Sequence, residues 1–250
     1  MDAITLVPIE GLRSVQPGDD LAMLIAAALL ERGPLPAAGD VLVVCQKVIS
    51  KAEGRMCRLS EVEPSALARD YAERHDKDAR VVELVLREAQ RIVRMDRGLL
   101  IVETGPGWVC ANAGVDESNS AGEGWAVMLP RDADESAARI RAGLQQATGV
   151  DLAVVVTDTF GRAWREGLTE VCIGASGLEP LLDLRGSRDL NGRELHHTVI
   201  AVADELAAAA GLLMEKAAGI PAVLVRGYRY RPSAGGAKAL VRNPQDDLFR

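Results

Sequence analysis

The residues best suited to carry chemistry follow an aliphatic run at positions 152–156. Asp158 and Thr159 come directly after this run, and Arg162 and Arg165 follow a turn-forming glycine. A continuous aliphatic run is typical of a strand that is buried on both faces. Because ligands of open α/β sheets collect beyond the carboxyl ends of such strands, Asp158 and Thr159 are predicted to lie at a sheet mouth. Oxygen ligands beside two guanidinium groups suit a metal ion and a phosphate.

Each of these residues also has a purely structural interpretation. An Asp or Thr after a strand often caps the next helix, and a surface arginine commonly pairs with a nearby acid. Residues 160–167 contain two arginines, a tryptophan and two glycines, which a helix cap does not require. This favours a catalytic or ligand-binding role for Asp158 over a capping role. For Arg162 and Arg165, an anion clamp and a surface ion pair remain equally open.

A second polar cluster, at residues 112–119, also leaves a predicted strand. Asp116 offers the hard oxygen that Mg²⁺ or Mn²⁺ prefers, and Asn112 and Asn119 offer amides for a phosphate or a base. Taken alone, the cluster is better explained by a turn in which these side chains bond their own backbone. Together with Asp158, another acid after a buried strand, it favours a metal site.

A third cluster, at residues 46–54, follows the strand predicted at 40–45. A lysine after a strand can neutralise the β- and γ-phosphates of a nucleotide as a point charge. The sequence has neither the GxxxxGK[ST] pattern of a P-loop nor a GxGxxG pattern followed by a helix. Lysines are usually solvated, so this cluster alone is weak evidence for a phosphate site. It supports one only together with the clusters at residues 112–119 and 158–167.

The remaining polar region, at residues 183–197, contains His196 and His197. Neighbouring residues of a strand point to opposite faces, so at most one of the two imidazoles can face a given site. We therefore expect structural roles for both. The sequence supports neither a Ser-His-Asp nor a Cys-His catalytic arrangement.

Composition narrows the class of protein. The 250 residues carry 36 acidic and 29 basic side chains, a net charge of −7, which argues against a general nucleic-acid-binding surface. Cys45, Cys110 and Cys172 lie in apolar contexts and no CxxC pair is present, as in reduced, buried thiols. The start of the chain lacks a signal-peptide pattern, and the apolar stretch 21–30 is too short to span a bilayer. We expect a cytoplasmic protein without membrane contact.

Strand and helix patterns alternate along the chain, as in a layered α/β protein. The segment after Arg226, and in particular residues 229–250, is predicted to be a loosely held tail. Strands are predicted at 3–9, 40–45, 99–103, 108–110, from 152, at 171–175, 198–203 and 221–225, and helices at 20–31, from Pro64, at 78–93, 132–147 and from about 204 to 218.

Several segments taken together resemble one family, the coenzyme F-420:L-glutamate ligases (γ-glutamyl ligases), in their order and approximate spacing. The similarity extends from about residue 4 to about residue 227, and the patterns TDTFGRxWREG and CANAGVDxSN carry most of its specificity. It implies a mixed α/β (α+β) fold in which residues 1–250 form one two-lobed ligase unit of an intertwined homodimer. The segments concerned are residues 11–13, 17–20, 46–54, 112–119 and 158–167.

The resemblance also implies an activity. Members of the family are GTP-dependent ligases that join the α-amino group of L-glutamate to the terminal carboxylate of the deazaflavin precursor F-420-0. They then join a second glutamate to the γ-carboxylate of the first. Relatives use two Mg²⁺ or Mn²⁺ ions and benefit from K⁺. Because the similarity covers the ligase half alone, we expect one or two additions rather than long polyglutamate tails.

The family's functional residues carry over position by position. The resemblance implies that Asp116 and Asp158 ligate one divalent ion and that Thr159 ligates another. Relatives place an acid or amide near residue 216, where this chain has Glu215 followed by Lys216, so either Glu215 substitutes as a ligand or the second metal is held differently. The implied catalytic residues are Asp116, Asp158 and Lys51, and the implied nucleotide contacts are Gly11, Leu12, Arg13, Ser14, Gln46, Lys51 and Asn119.

The chemistry implied for this site is activation of a carboxylate as an acyl phosphate, followed by attack of the glutamate amine. The sequence does not identify a general base for the amine. Two alternatives remain open. One is a ligase of the same fold that acts on another carboxylate acceptor, and the other is a non-catalytic GTP-binding module, which the departure at Lys216 makes conceivable.

Overall fold

The computed structural model describes residues 3–117, 123–215 and 218–248 of the chain. Strands and helices are mixed along this length, which confirms the predicted α/β class. The strands are β1 (Thr5–Pro8), β2 (Val41–Cys45), β3 (Met56–Arg58), β4 (Ala89–Asp96), β5 (Leu99–Thr104), β6 (Val109–Ala111), β7 (Trp125–Val127), β8 (Ala153–Arg162), β9 (Arg165–Ser176), β10 (Leu182–Asp183), β11 (Val199–Ile200) and β12 (Ala222–Arg226).

Six α-helices and several short 3₁₀ helices complete the described secondary structure. Among the described residues, no helix has both the length and the apolar character that crossing a membrane requires. The α-helices are α1 (Leu21–Glu31), α2 (Gln46–Ala52), α3 (Ala66–His75), α4 (Ala79–Glu88), α5 (Ala133–Thr148) and α6 (Val202–Met214), and the 3₁₀ helices are Leu59–Glu61, Asn112–Gly114, Ala237–Leu240 and Pro244–Asp246.

A five-stranded sheet in the order β1-β12-β2-β8-β9 forms the centre of the molecule. β2 and β8 run parallel, whereas the other neighbouring pairs are antiparallel. Residues 153–156 have no exposed surface, as predicted for a strand covered on both faces. Helices α1 and α5 pack on one face of the sheet, and α6 packs on the other.

A separate apolar cluster lies outside this sheet. It is built from α3, α4, the sheet β4-β5-β6 and the 3₁₀ helix Asn112–Gly114. Gly114 in that helix has φ +69°, and a Cβ there would lie 2.6 Å from the side chain of Leu129. Since only glycine meets both conditions without strain, this position fixes the path of the chain toward Asp116.

The helix ends read from the sequence agree with the structure where a side chain caps the backbone. Asp20 accepts a hydrogen bond from the Met23 amide at the start of α1, and Asp132 accepts one from the Glu135 amide at the start of α5. Gly149 ends α5, as predicted.

The helix predicted at residues 78–93 is wrong in its second half. α4 ends at Glu88, and Ile92 and Val93 belong to β4 instead. β4 pairs antiparallel with β5, and Ile92 lies opposite Val102. Two adjacent apolar residues fit a helical and a strand pattern equally well, so only the pairing with β5 decides.

Three boundaries also differ from the prediction. Pro64 precedes the helix rather than opening it, because Ser65 is the N-cap of α3. The strand predicted at 198–203 is limited to β11, since Val202 already begins α6. α6 ends at Met214, short of the predicted residue 218.

The aliphatic strand does not stop at the polar residues that follow it. β8 continues to Arg162 and returns as β9, so residues 160–167 form the end of a long antiparallel hairpin. Asp158 therefore lies within a strand, one residue beyond the last pair that β8 makes with β2, Cys45 with Thr157.

The segment after Arg226 is held more firmly than predicted. Ala237 has no exposed surface, and its amide donates to the Asp134 carboxylate over 2.7 Å. Tyr228 and Tyr230 pack against the apolar cluster beneath α6. These contacts attach the segment to the central sheet through its side chains, which the polar sequence does not indicate.

All four cysteines are free thiols. Cys110 and Cys172 are buried, as predicted, and burial raises the pKa of the Cys110 thiol to about 12. Cys45 is only partly buried, which departs from the expectation for this residue. Its thiol pKa is nevertheless raised to about 11, chiefly by desolvation.

Candidate active site

A cavity of about 740 Å³ opens where β2 and β8 leave the central sheet. This volume is in the range of sites that bind small molecules and cofactors. Its polar lining comes from five separate stretches of the chain, namely Arg13 and Ser14; Lys47 and Lys51; Asn112 and Asp116; Asp158, Thr159, Thr169 and Glu170 of the β8–β9 hairpin; and Glu215 after α6.

The parallel pairing of β2 with β8 explains why distant residues meet here. The ladder ends with Cys45 opposite Thr157, so the next residues, Gln46 and Asp158, leave the sheet side by side. The Gln46 amide nitrogen lies 3.4 Å from Asp158 Oδ1. Ser50 donates to Gln46 Oε1 over 2.8 Å, which leaves the amide nitrogen to face Asp158. The sheet mouth expected from the sequence is thus the floor of the cavity.

The carboxyl group of Asp158 is held in an environment that disfavours its charge. Desolvation, together with the negative charge of Glu170, raises the pKa of Asp158 to about 6. The hydrogen bonds from the Thr159 backbone and Gln46, and the nearby charge of Lys47, oppose this rise without cancelling it. A buried carboxylate with a raised pKa inside a cavity is a marker of functional sites.

Glu170 is the polar residue of the cavity that the sequence analysis missed. It lies opposite Thr159 in the β8–β9 pairing, with Oε1 2.5 Å from Thr159 Oγ1 and Oε2 2.7 Å from Thr157 Oγ1. The predicted strand began only at residue 171, which left Glu170 in an unassigned segment. The alternation of Thr157 and Thr159, once recognised as one face of a hairpin, is the signal that points to it.

Two lysines of α2 face the cavity one helical turn apart. Lys47 Nζ lies 2.6 Å from Asp116 Oδ2, a contact that the sequence did not identify. Burial, and then the charge of Lys47, lower the pKa of Lys51. Two ammonium groups this close, one of them partly desolvated, form a local positive region suited to an anion.

Asp116 is placed by the backbone and not by the turn alone. It forms an isolated antiparallel bridge with Val127, with hydrogen bonds of 3.0 and 2.8 Å in the two directions. Its carboxylate reaches the cavity beside Lys47. Asn112 lines the same cavity, whereas Asn119, the other amide predicted to contact a nucleotide, lies outside the described residues.

The segment after β1 forms another part of the cavity lining. Leu12, Arg13 and Ser14 line it, whereas Gly11 is not among the described lining residues. The Arg13 guanidinium forms a fork with both oxygens of Asp19, each at 2.7 Å, and its side chain is 56% exposed. The hydrogen bond from Arg13 lowers the pKa of Asp19 to about 2.

The structure does not bring every candidate to the cavity. Among the described lining residues, neither Arg162 nor Arg165 is present; both are exposed at the hairpin end, where Arg162 donates to the Glu166 carbonyl over 2.7 Å. Within one chain they form no anion clamp over this cavity. His196 and His197 lie in an exposed bend before β11, not in the strand assumed for them.

Comparison with known proteins bears on the same segments. The sequence model of the family described as F420-0:Gamma-glutamyl ligase matches residues 11–227. The chain is 48% identical to "Coenzyme F420:L-glutamate ligase" of Methanothermobacter thermautotrophicus over 250 residues, covering 99% of each chain. It is 50% identical to the protein of that name from Methanopyrus kandleri, over 98% of this chain and 96% of the relative.

The chain belongs to the F420-0:gamma-glutamyl ligase family. The protein of the same name from Archaeoglobus fulgidus is 43% identical over 99% of this chain and 96% of the relative. The match at 11–227 includes every polar cavity residue described above, and it ends one residue after β12.

The resemblance implies divalent metal ions, so we compared the side-chain oxygens of the cavity with the ligands that such ions prefer. No group of three or more His, Cys, Asp or Glu side chains with metal-binding spacing occurs among the described residues. Mg²⁺ bound with a nucleotide commonly uses one or two carboxylates and takes its other ligands from phosphates and water. Asp158 and Asp116 supply such carboxylates, and a cation would compensate the desolvation and the charge of Glu170 that raise the pKa of Asp158. The donor set fits an ion that arrives with a phosphate.

Proposed function

We propose that this chain is a GTP-dependent ligase that adds L-glutamate to F-420-0 and then joins the amine of a second glutamate to the γ-carboxylate of the first. The principal support is the convergence of Asp116, Asp158, Lys47 and Lys51 on one cavity from segments far apart in sequence. Relatives at 48–50% identity carry the name coenzyme F420:L-glutamate ligase, which supplies the acceptor and the amino acid of the proposal.

The cavity provides charge for a triphosphate from two segments of the chain. Lys47 and Lys51 lie on α2, and Arg13 lines the cavity from the segment after β1. A phosphate would compensate the partial desolvation that lowers the pKa of Lys51. In this proposal the nucleotide also contacts Leu12 and Ser14. Gln46, predicted as a nucleotide contact, is 1% exposed and is not among the described lining residues, so in this proposal it acts through its contact with Asp158.

The proposed metal ligands are Asp116 and Asp158, with the Thr159 hydroxyl and Glu215 toward a second ion. When bound, Mg²⁺ or Mn²⁺ supplies neutralisation of the charge on the β- and γ-phosphates. Glu215 lines the cavity at the end of α6, which supports its use in place of the residue that relatives carry nearby. K⁺ also belongs to the proposal, without assigned ligands.

The protein's own groups orient the reactants and balance their charges. A free carboxylate is a poor acyl donor, so the proposed first step transfers the γ-phosphoryl group to the acceptor carboxylate and releases GDP. Lys51 and Lys47 hold the phosphate oxygens during this transfer, and Gln46 keeps Asp158 in position. The glutamate amine then attacks the acyl carbon, forms the amide and expels phosphate.

A homodimer is part of the proposal. The β8–β9 hairpin carries Trp164 and Leu168 at 83% and 61% exposure, and a second copy of the chain would cover such apolar side chains. Light scattering of the purified protein is expected to give twice the chain mass. Trp164→Ser should shift the population toward monomer, and a monomeric wild-type protein would rule the dimer out.

Product analysis tests the proposed activity. Purified protein is incubated with GTP, Mn²⁺, L-glutamate and F-420-0, and both the acceptor and GDP are followed by mass spectrometry. We expect acceptor species carrying one and two added glutamyl residues, with one GDP released per addition. Omission of GTP, glutamate or acceptor should each stop product formation.

Other outcomes of this experiment identify the alternatives. GDP release that requires glutamate but does not respond to F-420-0 would indicate a ligase for a different carboxylate. Binding of GTP and Mn²⁺ without any release of GDP would indicate a non-catalytic module. Asp183→Asn serves as the matched control for cavity variants, because Asp183 pairs with Arg185 on the surface.

A further inference from the structure

Glu170 holds two threonine hydroxyls at once. Its Oε1 lies 2.5 Å from Thr159 Oγ1, and its Oε2 lies 2.7 Å from Thr157 Oγ1. Thr157 is fully buried, and its hydroxyl also lies 3.0 Å from the Val171 carbonyl. Thr159 and Glu170 line the cavity, so this small network connects the interior of the hairpin to the cavity surface.

The Glu170 side chain is also fixed from the opposite direction. Gly211 of α6 packs against it so closely that a Cβ at this position would lie 2.6 Å from Glu170 Cγ. A glycine inside a helix costs about 0.5–1 kcal/mol relative to alanine. At position 211 the absence of a Cβ leaves the space that the Glu170 side chain occupies between α6 and the two threonines. The loss of helix stability therefore has a structural reason.

The direction of the Thr159 proton follows from these contacts. A hydroxyl has one proton to donate and two lone pairs to offer. Since a carboxylate only accepts, Thr159 must direct its proton at Glu170. The lone pairs of Thr159 Oγ1 are then left for a group on the cavity side.

We propose that Glu170 is a positioning residue that holds the Thr159 hydroxyl with its lone pairs toward a divalent cation in the cavity. This inference rests on the proposed function, in which Thr159 is a metal ligand, and goes beyond it by assigning a role to Glu170. Groups that orient a metal ligand in this way commonly change metal affinity by about 10–100-fold when they are removed.

Four variants separate orientation from charge. Glu170→Met has a similar length but no acceptor, so it releases the Thr159 proton. Glu170→Gln loses the charge yet can still accept from Thr159 while it donates to Thr157, whose own proton then goes to the Val171 carbonyl. Thr159→Val removes the oriented hydroxyl, and Glu166→Met, at the exposed end of the same hairpin, is the matched control.

The measurement is a titration with Mn²⁺ in the presence of GTP and without acceptor, with free ion followed by electron paramagnetic resonance against a protein-free control and thermal unfolding recorded for every variant. We expect Glu170→Met to weaken Mn²⁺ binding by about 10–100-fold, while Glu170→Gln stays within about threefold of wild type because it restores the acceptor. Adding Glu170→Met to Thr159→Val should cost little more than Thr159→Val alone, since the two residues act as one unit.

The outcomes separate the inference from the function on which it rests. Equal losses in Glu170→Met and Glu170→Gln, or losses that multiply with Thr159→Val, would mean that Glu170 acts by charge or as a ligand, and would overturn the positioning role alone. Unchanged affinity in Glu170→Met would overturn it as well. If wild-type protein binds no Mn²⁺, the metal step of the proposed function falls together with the inference.

Discussion

Two parts of the cavity lining are built in different ways. The sheet wall, defined as Asp158, Thr159 and Glu170, stands where β2 and β8 leave the central sheet, and its side chains have fixed partners: Thr159 binds Glu170, and the buried Gln46 contacts Asp158. The loop wall, defined as Leu12, Arg13 and Ser14, is held by a local ion pair from Arg13 to Asp19.

This difference assigns different tasks to the walls. Side chains on paired strands with fixed partners hold a reacting geometry more accurately than side chains on loops. An exposed guanidinium on a loop can follow a ligand as it enters and leaves. We infer that the sheet wall carries the chemistry and that the loop wall mainly contributes to binding of the nucleotide.

The largest effect is expected from the centre of the sheet wall. Asp158→Asn keeps the shape of the side chain but removes a carboxylate toward the metal and phosphates. Ligation, measured as the rate of glutamylated product formation per enzyme, should fall by at least about 10²–10³-fold. Asp183→Asn, on the surface, should not change it. Retention of wild-type turnover by Asp158→Asn would refute the division between the walls.

Lys51 should come next. Lys51→Met keeps most of the apolar stem and removes the ammonium group that faces the cavity. We expect kcat/KM for GTP to fall by about 10²-fold, with a large part of the loss in kcat, because the charge acts during phosphoryl transfer. A change confined to KM would show that Lys51 contributes to binding of GTP and not to phosphoryl transfer.

The sheet wall should also carry a cost in stability that the loop wall does not. Between pH 4 and pH 6 the native protein holds a proton on Asp158 that the unfolded chain has lost, so this group makes stability fall as pH rises through that window. In metal-free protein, Asp158→Asn should raise the free energy of unfolding by about 3 kcal/mol at pH 8. The gain should vanish near pH 4 in urea titrations, and an equal gain at both pH values would contradict the burial of a charged carboxylate.

The smallest effect is expected from the loop wall. Arg13→Gln removes an exposed charge that already pairs with Asp19. KM for GTP should rise by about 3–10-fold while kcat stays unchanged, as for an interaction made equally in the ground and transition states. A loss of kcat comparable to that of Lys51→Met would show that both walls take part in the chemistry.

Much of this arrangement could be predicted from the sequence because it depends on local patterns. The aliphatic run at 153–156 indicates a buried strand, and Asp20 and Asp132 mark helix starts through their capping chemistry. The polar residues after the predicted strands identify Asp116 and Asp158 as cavity residues. Their nucleotide and metal roles stay predictions.

What could not be predicted depends on pairing between distant segments. Glu170 gains its role only when the β8–β9 register places it opposite Thr159. Lys47 gains its contact with Asp116 only when α2 and the bridge at residue 116 meet. In the same way, pairing with β5 rather than any local preference turns Ile92 into a strand residue.

The most direct test of phosphoryl transfer in this cavity follows the oxygen atoms of the acceptor. F-420-0 labelled with ¹⁸O in its terminal carboxylate is incubated with protein, GTP, metal and L-glutamate, and the released phosphate is analysed by mass spectrometry. If the carboxylate is activated as an acyl phosphate, the phosphate released by the first addition carries one ¹⁸O atom, whereas the second addition activates the γ-carboxylate of the unlabelled first glutamate and releases unlabelled phosphate. Singly glutamylated product accompanied only by unlabelled phosphate would contradict this chemistry.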